Sequence, residues 1–186
     1  MRIISGKFKG KKLYLPKDKE TRPLKDLVKE SIFNLLFHSK KICVDIKDSS
    51  VLDLFSGSGS FGMECISRGS ESVFFFEKYS KAVQVLKKNL DLIKGNKKNK
   101  IFEYDCFTFF SSEKKINYKF DIIFIDPPYK ELKINELLEK IIEKKILKNN
   151  GIMIIHRHKG DKVEITKKVK ILDIRNYGIS KVYFCN

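Results

Sequence analysis

The sequence predicts an α/β fold in which a doubly wound, mostly parallel sheet of seven strands ends in an antiparallel hairpin. Two observations support this prediction. Five short apolar runs, rich in β-branched and aromatic residues, alternate with stretches whose apolar residues recur at helical spacing. After the fifth run, two more strand-like segments flank Tyr177-Gly178, a pattern typical of a hairpin turn. Because strands that alternate with helices usually pair in parallel, we expect the five runs to lie side by side.

Length and composition indicate one main domain with a short extension. The 186 residues are 42% hydrophobic, which is enough to bury a sizeable core. No apolar run reaches the ~18 residues that a membrane span needs, and the N-terminus lacks the apolar region of a signal peptide. The four cysteines are scattered, as in a reduced cytoplasmic protein. We expect residues 1–45 to form an N-terminal extension and residues 46–186 the main domain.

The charge of the chain favours a polyanionic partner. The formal net charge is +16, but most of the 39 basic residues are lysines, and a lysine-rich composition can also reflect a genome-wide bias. The N-terminal segment is locally basic, and Gly6 and Gly10 predict a small hairpin there. Its cations could contact phosphates or simply line an exposed ribbon. The candidate RNA-contacting residues are Arg2, Lys7, Lys9, Lys11 and Arg22.

Apolar residues at helical spacing from Leu24 to Leu36 predict a helix that begins near Pro23. Arg22 lies at its entrance, where it would be either a surface arginine or a phosphate contact. The first apolar run, Val51–Phe55, follows a polar linker.

A glycine-rich segment follows this run and leads into a helical stretch. Gly57, Gly59 and Gly62 fit the spacing G-x-G-x-x-G, which permits a tight turn and a close backbone approach to a ligand. A dinucleotide and S-adenosylmethionine both suit this pattern. Asp53, inside the strand, favours S-adenosylmethionine because an acid can take its amino-acid moiety, whereas a pyrophosphate disfavours a nearby negative charge.

The second apolar run ends at Glu77, about 20 residues after the first glycine. A carboxylate in this position accepts hydrogen bonds from both ribose hydroxyls of a nucleotide-like cofactor. A helix from Ser80 to about Lys94 and a third strand, Ile101–Tyr104, come next.

The fourth run, Phe120–Ile125, leads directly into Asp126-Pro127-Pro128-Tyr129. Prolines cannot continue a strand, so the chain must leave the sheet there and place Asp126 and Tyr129 at its carboxyl edge. Such a pair suits a flat ring that carries an amine: Tyr129 can stack on the ring while Asp126 and the Pro127 carbonyl accept N–H bonds. A strand-ending turn with a buried tyrosine is the alternative.

The remaining elements complete the sheet. A helix is predicted over about Asn135–Leu147, a turn at Asn149-Asn150-Gly151 with a positive φ at the glycine, and a fifth strand over Ile152–Ile155. His156-Arg157-His158 follows, but no third ligand lies at a suitable spacing, and we predict no metal site. Val169–Asn176 and Ile179–Phe184 form the final hairpin.

Several motifs together resemble one family. Asp53-Leu-Phe-Ser-Gly-Ser-Gly59 looks like motif I, and Asp126-Pro127-Pro128-Tyr129 like motif IV, of class I (Rossmann-like) S-adenosylmethionine-dependent methyltransferases. Arg2-Ile-Ile-Ser-Gly-Lys-Phe-Lys-Gly-Lys-Lys-Leu13, Thr21-Arg-Pro-Leu-Lys-Asp-Leu-Val-Lys-Glu-Ser-Ile-Phe-Asn34 and Tyr177-Gly178 are similar to segments of the RsmD family. That family methylates a guanine N2 in 16S ribosomal RNA, and its motifs span nearly the whole chain.

The resemblance implies a monomeric enzyme that acts on RNA in the small ribosomal subunit or its assembly intermediate. It implies catalytic roles for Asp126, Pro127 and Tyr129, and adenine contacts for Asp105 and the Cys106 backbone. The implied cofactor-binding residues are Asp53, Phe55, Gly57, Gly59, Glu77, Asp105 and Cys106. Two departures from the family pattern are Leu24, where threonine is commoner, and His156-Arg157-His158, which replaces an acidic strand end and makes this rim more basic.

Two alternatives remain at the level of sequence. The target could be another planar amine, such as a different RNA base, a DNA adenine or a protein glutamine amide. A non-catalytic RNA-binding assembly factor could also retain the fold.

Overall fold

The computed structural model describes residues 1–17, 24–94, 97–113, 116–161 and 164–186. The strands are β1 (Ser50–Leu54), β2 (Ser72–Phe76), β3 (Lys100–Phe102), β4 (Phe120–Ile125), β5 (Leu147–His158), β6 (Ile171–Tyr177) and β7 (Ser180–Cys185). The helices are α1 (Asp26–His38), α2 (Ser60–Ser67), α3 (Ser80–Leu92), α4 (Cys106–Ser111) and α5 (Ile134–Glu143).

The strands form one seven-stranded sheet in the order β3-β2-β1-β4-β5-β7-β6. Neighbouring strands from β3 to β5 are parallel, and β7 runs antiparallel to both β5 and β6. The strand order reverses beside β1, which places the carboxyl ends of β1, β2 and β4 at one switch point where ligands of such sheets bind. The predicted fold class is confirmed.

Alternate residues of each central strand enter two separate layers of the core. Val51, Phe75 and Phe124 belong to the layer that includes side chains of α1, α2 and α3. Their chain neighbours Leu52 and Phe76 belong to the layer that includes α4 and α5. Because both faces of a parallel sheet are covered, these strands are apolar at nearly every position, which is why they were visible as continuous runs.

Buried charges join the N-terminal segment to α2. The Glu64 carboxylate accepts hydrogen bonds from the backbone N–H groups of Ile4 (2.7 Å) and Ser5 (2.9 Å). The Lys29 ammonium on α1 donates to the Arg2 carbonyl at 2.7 Å. The predicted hairpin consists of a single antiparallel bridge, Arg2–Lys12, with flanking backbone bonds. The boundary at residues 45/46 stays a prediction, and Arg22 and Pro23 lie outside the described residues.

The prediction for the segment before the fifth strand was wrong. The helix α5 ends at Glu143, and Lys145, rather than Gly151, takes the left-handed conformation (φ 51°). Gly151 lies within β5, where an added Cβ would come within 2.8 Å of the Leu147 side chain. The strand therefore begins earlier than the apolar run, through the polar residues 148–150. None of the helices in the described ranges is long and apolar enough to cross a membrane.

Candidate active site

A cavity of about 450 Å³ opens at the carboxyl ends of β1, β2 and β4. It is lined by nine of the ten residues for which catalytic or cofactor roles were predicted, namely Asp53, Phe55, Gly57, Glu77, Asp105, Cys106, Asp126, Pro127 and Tyr129. The fold thus brings together residues that are spread over 77 positions of the sequence.

The glycine-rich loop turns sharply between β1 and α2. Phe55 and Gly57 both have positive φ values, 59° and 55°, and both line the cavity. Gly59, the tenth predicted residue, does not line it. A Cβ at Gly59 would lie 2.3 Å from Leu86, and one at Gly62 would lie 2.2 Å from the Phe75 ring. These two glycines let α2 pack closely on α3 and the sheet, so their contribution to the site is indirect.

Two acids organise the floor of the cavity. Asp53 is buried, and one of its carboxylate oxygens accepts a hydrogen bond from the Gly62 N–H at 3.0 Å. Burial, together with the nearby charges of Asp126 and Glu77, raises the pKa of Asp53 to about 8, although the bond from Gly62 opposes this shift. The Glu77 carboxylate accepts bonds from the Gly57 and Tyr79 N–H groups, each at 2.8 Å. It is therefore held across the turn of the glycine loop.

Asp105 closes another side of the cavity as the N-cap of α4. Its carboxylate accepts hydrogen bonds from the Thr108 N–H at 3.0 Å and from the Lys78 ammonium at 2.7 Å. Partial burial alone would raise the pKa of Asp105, but these bonds outweigh it and leave the pKa below its usual value. Cys106, the first residue of α4, lies beside it and is buried. Burial raises the pKa of its thiol well above the ordinary range, which disfavours the nucleophilic thiolate.

Asp126 has a partner that the sequence interpretation missed. The His156 Nδ1 lies 2.8 Å from Asp126 Oδ1, and the histidine side chain is only 1% exposed. A signal was present in the sequence, because both residues directly follow the apolar runs of neighbouring parallel strands. Ile125 pairs with Ile155 in the sheet, so the next residue of each strand meets the other at the carboxyl edge.

The other two residues of the β5 end also contact the loop after β4. The Arg157 guanidinium donates to the Glu131 carbonyl at 2.8 Å and forms an ion pair with Asp161. The His158 ring packs edge-on against Tyr129, with 4.8 Å between ring centroids. The expectation of a more basic rim was wrong for two of the three residues, because His156 and Arg157 are 1% and 2% exposed. No group of His, Cys, Asp or Glu in the described ranges is arranged to hold a metal.

The tip of the N-terminal hairpin lies away from the cavity. The Lys7 N–H bonds the Ser67 carbonyl at 2.7 Å, at the C-terminal end of α2, whereas the cavity lies at the opposite end of this helix. The Lys11 ammonium donates to the Leu92 carbonyl at the end of α3. Of residues 1–17, Leu15 and Pro16, which follow the hairpin, line the cavity. RNA contacts by Arg2, Lys7, Lys9 and Lys11 stay a prediction, and Arg22 is outside the described residues.

The sheet order and the acid-lined cavity next to the glycine loop define a class I methyltransferase fold. A solved structure of similar shape is that of HI0767 from Haemophilus influenzae, described as a methylase. It is 30% identical with a TM-score of 0.78, and the match covers 99% of this chain and 96% of that one.

The chain belongs to the family described as Conserved hypothetical protein 95, whose model matches residues 1–186. YlbH of Bacillus subtilis, described as an rRNA methyltransferase, is 36% identical over 98% of this chain and 96% of its own length. Ribosomal RNA small subunit methyltransferase D of Buchnera aphidicola is 33% identical over 84% of this chain and 76% of its own. The predicted resemblance to the RsmD family and the predicted class, a methyltransferase, are confirmed.

Proposed function

We propose that this protein transfers a methyl group from S-adenosylmethionine to the exocyclic N2 amine of a guanine in 16S ribosomal RNA. The observation that supports this most directly is the placement of Asp126 and Tyr129 on the wall of the same cavity as Asp53 and Glu77. Asp126 and Tyr129 suit a planar amine, whereas Asp53 and Glu77 suit a nucleoside that carries an amino acid. Relatives named as small-subunit rRNA methyltransferases support the choice of substrate.

The residues of the cavity fit S-adenosylmethionine. Its volume of about 450 Å³ is in the range of small-molecule sites. Three carboxylates, Asp53, Glu77 and Asp126, share this space closely enough for two of them to raise the pKa of the third. Such a group of acids is stabilised by a cation. The cofactor has an ammonium and a sulfonium, and when bound it supplies an electrophilic methyl group.

Each cofactor contact follows from the position of a residue on the cavity wall. We assign the amino-acid moiety to Asp53 and the Gly57 backbone, and the ribose hydroxyls to Glu77, which the loop N–H groups hold in place. The adenine is assigned to Asp105 and the Cys106 N–H, with Phe55 along its side.

The substrate base enters from the side of Tyr129. Bases in folded RNA must leave their stack to reach a catalytic group, and stacking on Tyr129 would contribute about 1–3 kcal/mol. Asp126 and the Pro127 carbonyl then accept the two N–H bonds of the amine. Because the nitrogen lone pair is conjugated with the ring, holding both N–H bonds favours the pyramidal geometry in which the lone pair is directed at the methyl group.

Asp126 also has an electrostatic role. As the N–C bond forms, positive charge develops on the amine nitrogen, and the carboxylate stabilises this charge. The amine then loses a proton, to Asp126 directly or through water. We expect the enzyme to act as a monomer, in the cytoplasm, on the small subunit or its assembly intermediate.

The test is a labelled-methyl transfer assay on small subunits that lack the modification, with nucleoside analysis of the product. We expect wild type to yield N2-methylguanosine. Asp126→Asn should lower the transfer rate about 10²–10⁴-fold and weaken cofactor binding far less, because Asp53 and Glu77 stay in place. The asparagine keeps the size of the side chain and an acceptor for the His156 ring, so the loss reports the charge.

Glu77→Gln is the matched comparison and should show the opposite pattern. Its amide would turn a donor towards one of the two loop N–H groups, so cofactor binding should weaken about 10–100-fold. Its transfer rate at saturating cofactor should stay within a fewfold of wild type. A methyl group on adenine or on protein, or an Asp126→Asn variant of normal rate, would contradict the proposal.

A further inference from the structure

We propose that His156 is a positioning residue for Asp126: its ring fixes the carboxylate so that one oxygen is presented to the substrate amine. This inference rests on the proposed function, in which Asp126 accepts an amine N–H.

The position of His156 follows from the sheet. The strands β4 and β5 are parallel, with Ile125 paired to Ile155, so Asp126 and His156 leave the sheet side by side. The ring nitrogen Nδ1 lies 2.8 Å from Asp126 Oδ1. The histidine side chain is 1% exposed, and that of Asp126 is 12% exposed. The contact is therefore shielded from water and has little freedom to rearrange.

The chemistry of the pair fixes the direction of the hydrogen bond. An ionised carboxylate only accepts, so the ring must carry its hydrogen on Nδ1. Oδ1 is then engaged by the ring, which fixes the orientation of the carboxylate relative to the substrate amine. The other ring nitrogen, Nε2, is buried and contacts no hydrogen-bonding partner among the described residues. The ring is thus anchored through Asp126, which makes their orientations interdependent.

The neighbouring contacts show why the role belongs to His156. Arg157 bonds the Glu131 carbonyl, and His158 packs on Tyr129, so both hold parts of the loop beyond the reacting group. Of these three consecutive residues, His156 is the one that bonds the carboxylate itself. Misplacement of a catalytic group by about 1 Å can cost about 10²-fold in rate. Loss of the ring should therefore affect the rate and leave binding intact.

The experiment compares His156→Leu with His156→Asn in the transfer assay on unmodified small subunits. Leucine fills similar space without a donor, whereas the asparagine amide can donate from a position close to that of Nδ1. We expect His156→Leu to lower kcat about 10–100-fold, with KM for the subunits and the cofactor dissociation constant within about twofold of wild type. His156→Asn should recover most of the lost rate. Cofactor binding and the melting temperature verify that each variant is folded.

A double-mutant cycle with Asp126→Ala, which removes the acceptor of the His156 ring, tests whether the histidine acts through the carboxylate. Single-turnover rates should show that His156→Leu has less than about a twofold further effect once Asp126 is replaced. The inference is overturned if wild type is active and His156→Leu matches it, if asparagine gives no recovery, or if the two losses multiply. The proposed function itself fails if wild type places no methyl group on guanine N2, which the same assay reports separately.

Discussion

At the scale of single residues, Asp53 is a deeply buried acid to which we assign a contact with the cofactor. Burial is the main cause that raises its pKa from an ordinary value of 3.8 to about 8, and the charges of Asp126 and Glu77 add to it. In the absence of a cation the folded protein therefore keeps this acid protonated at neutral pH. Binding of an ammonium group beside it would favour the ionised form and release a proton.

The raised pKa predicts how stability depends on pH. Between pH 4 and 8 the folded state holds a proton on Asp53 that the unfolded state has lost, so this residue makes the protein less stable as the pH rises. Asp53→Asn keeps an acceptor for the Gly62 N–H and removes the titration. The unfolding free energy of Asp53→Asn should rise relative to that of wild type by at most about 1.4 kcal/mol for each unit of increasing pH. This difference should not increase further above pH 8.

Denaturant unfolding of the cofactor-free protein at pH 5, 7 and 9 measures this difference. Asp91→Asn, at an exposed position of α3, is the control and should track wild type at every pH. If Asp53→Asn and wild type changed in parallel between pH 5 and 7, the acid would not be protonated in the folded state.

At the scale of elements, the carboxyl end of β5 supports the loop that follows β4. Three consecutive residues of one strand make three contacts with this loop: a hydrogen bond to Asp126, a hydrogen bond to the Glu131 carbonyl and a ring contact with Tyr129. The loop has a turn of its own, in which the Glu131 N–H bonds the Pro128 carbonyl at 2.9 Å. The substrate side of the site is therefore held by a neighbouring strand and not by the loop alone.

Of these three residues, Arg157 should be the one whose replacement destabilises the fold most. It is buried and paired with Asp161, so Arg157→Met would leave a largely buried carboxylate without its guanidinium and should destabilise the fold by about 3–5 kcal/mol. Adding Asp161→Asn should recover part of this loss. Arg175→Met, which removes an exposed pair with Asp173 on β6, should cost no more than about 1 kcal/mol.

Equilibrium unfolding in urea checks both halves of this comparison. Equal losses for Arg157→Met and Arg175→Met would show that burial does not set the cost. The absence of any recovery in the double variant would show that the charge of Asp161 is not its source.

At the scale of the whole molecule, the sequence predicted those features that depend on residues close together along the chain. The central strands were recognisable because both of their faces are buried, and Asp53, Glu77 and Asp126 because each lies in or just after such a run. Asp126 and His156 each follow an apolar run, but their contact depends on which strands are neighbours and on their register, and neither run shows this by itself. The early start of β5 was hidden because its residues 148–150 are polar and exposed, and the register with β4 passes over them from Leu147 to Ile152.

The same limit applies to the N-terminal cations. Their number was evident, but their distance from the cavity follows from the bonds of Ile4, Ser5 and Lys7 to α2, which bring together residues about 60 positions apart. The tip of the basic hairpin, at Lys7, consequently lies at the far end of α2 from the catalytic edge. If it contacts RNA, it does so away from the target base, and its contribution should be to affinity rather than to chemistry.

This separation leads to a prediction about salt. Each phosphate contact that a lysine makes with single-stranded RNA contributes about 0.7 to the slope of log K against log salt concentration. Lys7→Gln with Lys9→Gln should therefore reduce the slope for binding to unmodified small subunits by about 1.4, while kcat at saturating subunits stays near that of wild type. Lys140→Gln with Lys168→Gln removes the same charge from residues paired with Glu143 and Glu139, and should leave the slope nearly unchanged. Equal slopes for the two double variants would mean that net charge, rather than the hairpin, attracts the RNA. A fall in kcat for the hairpin variant would instead place these lysines close to the reacting base.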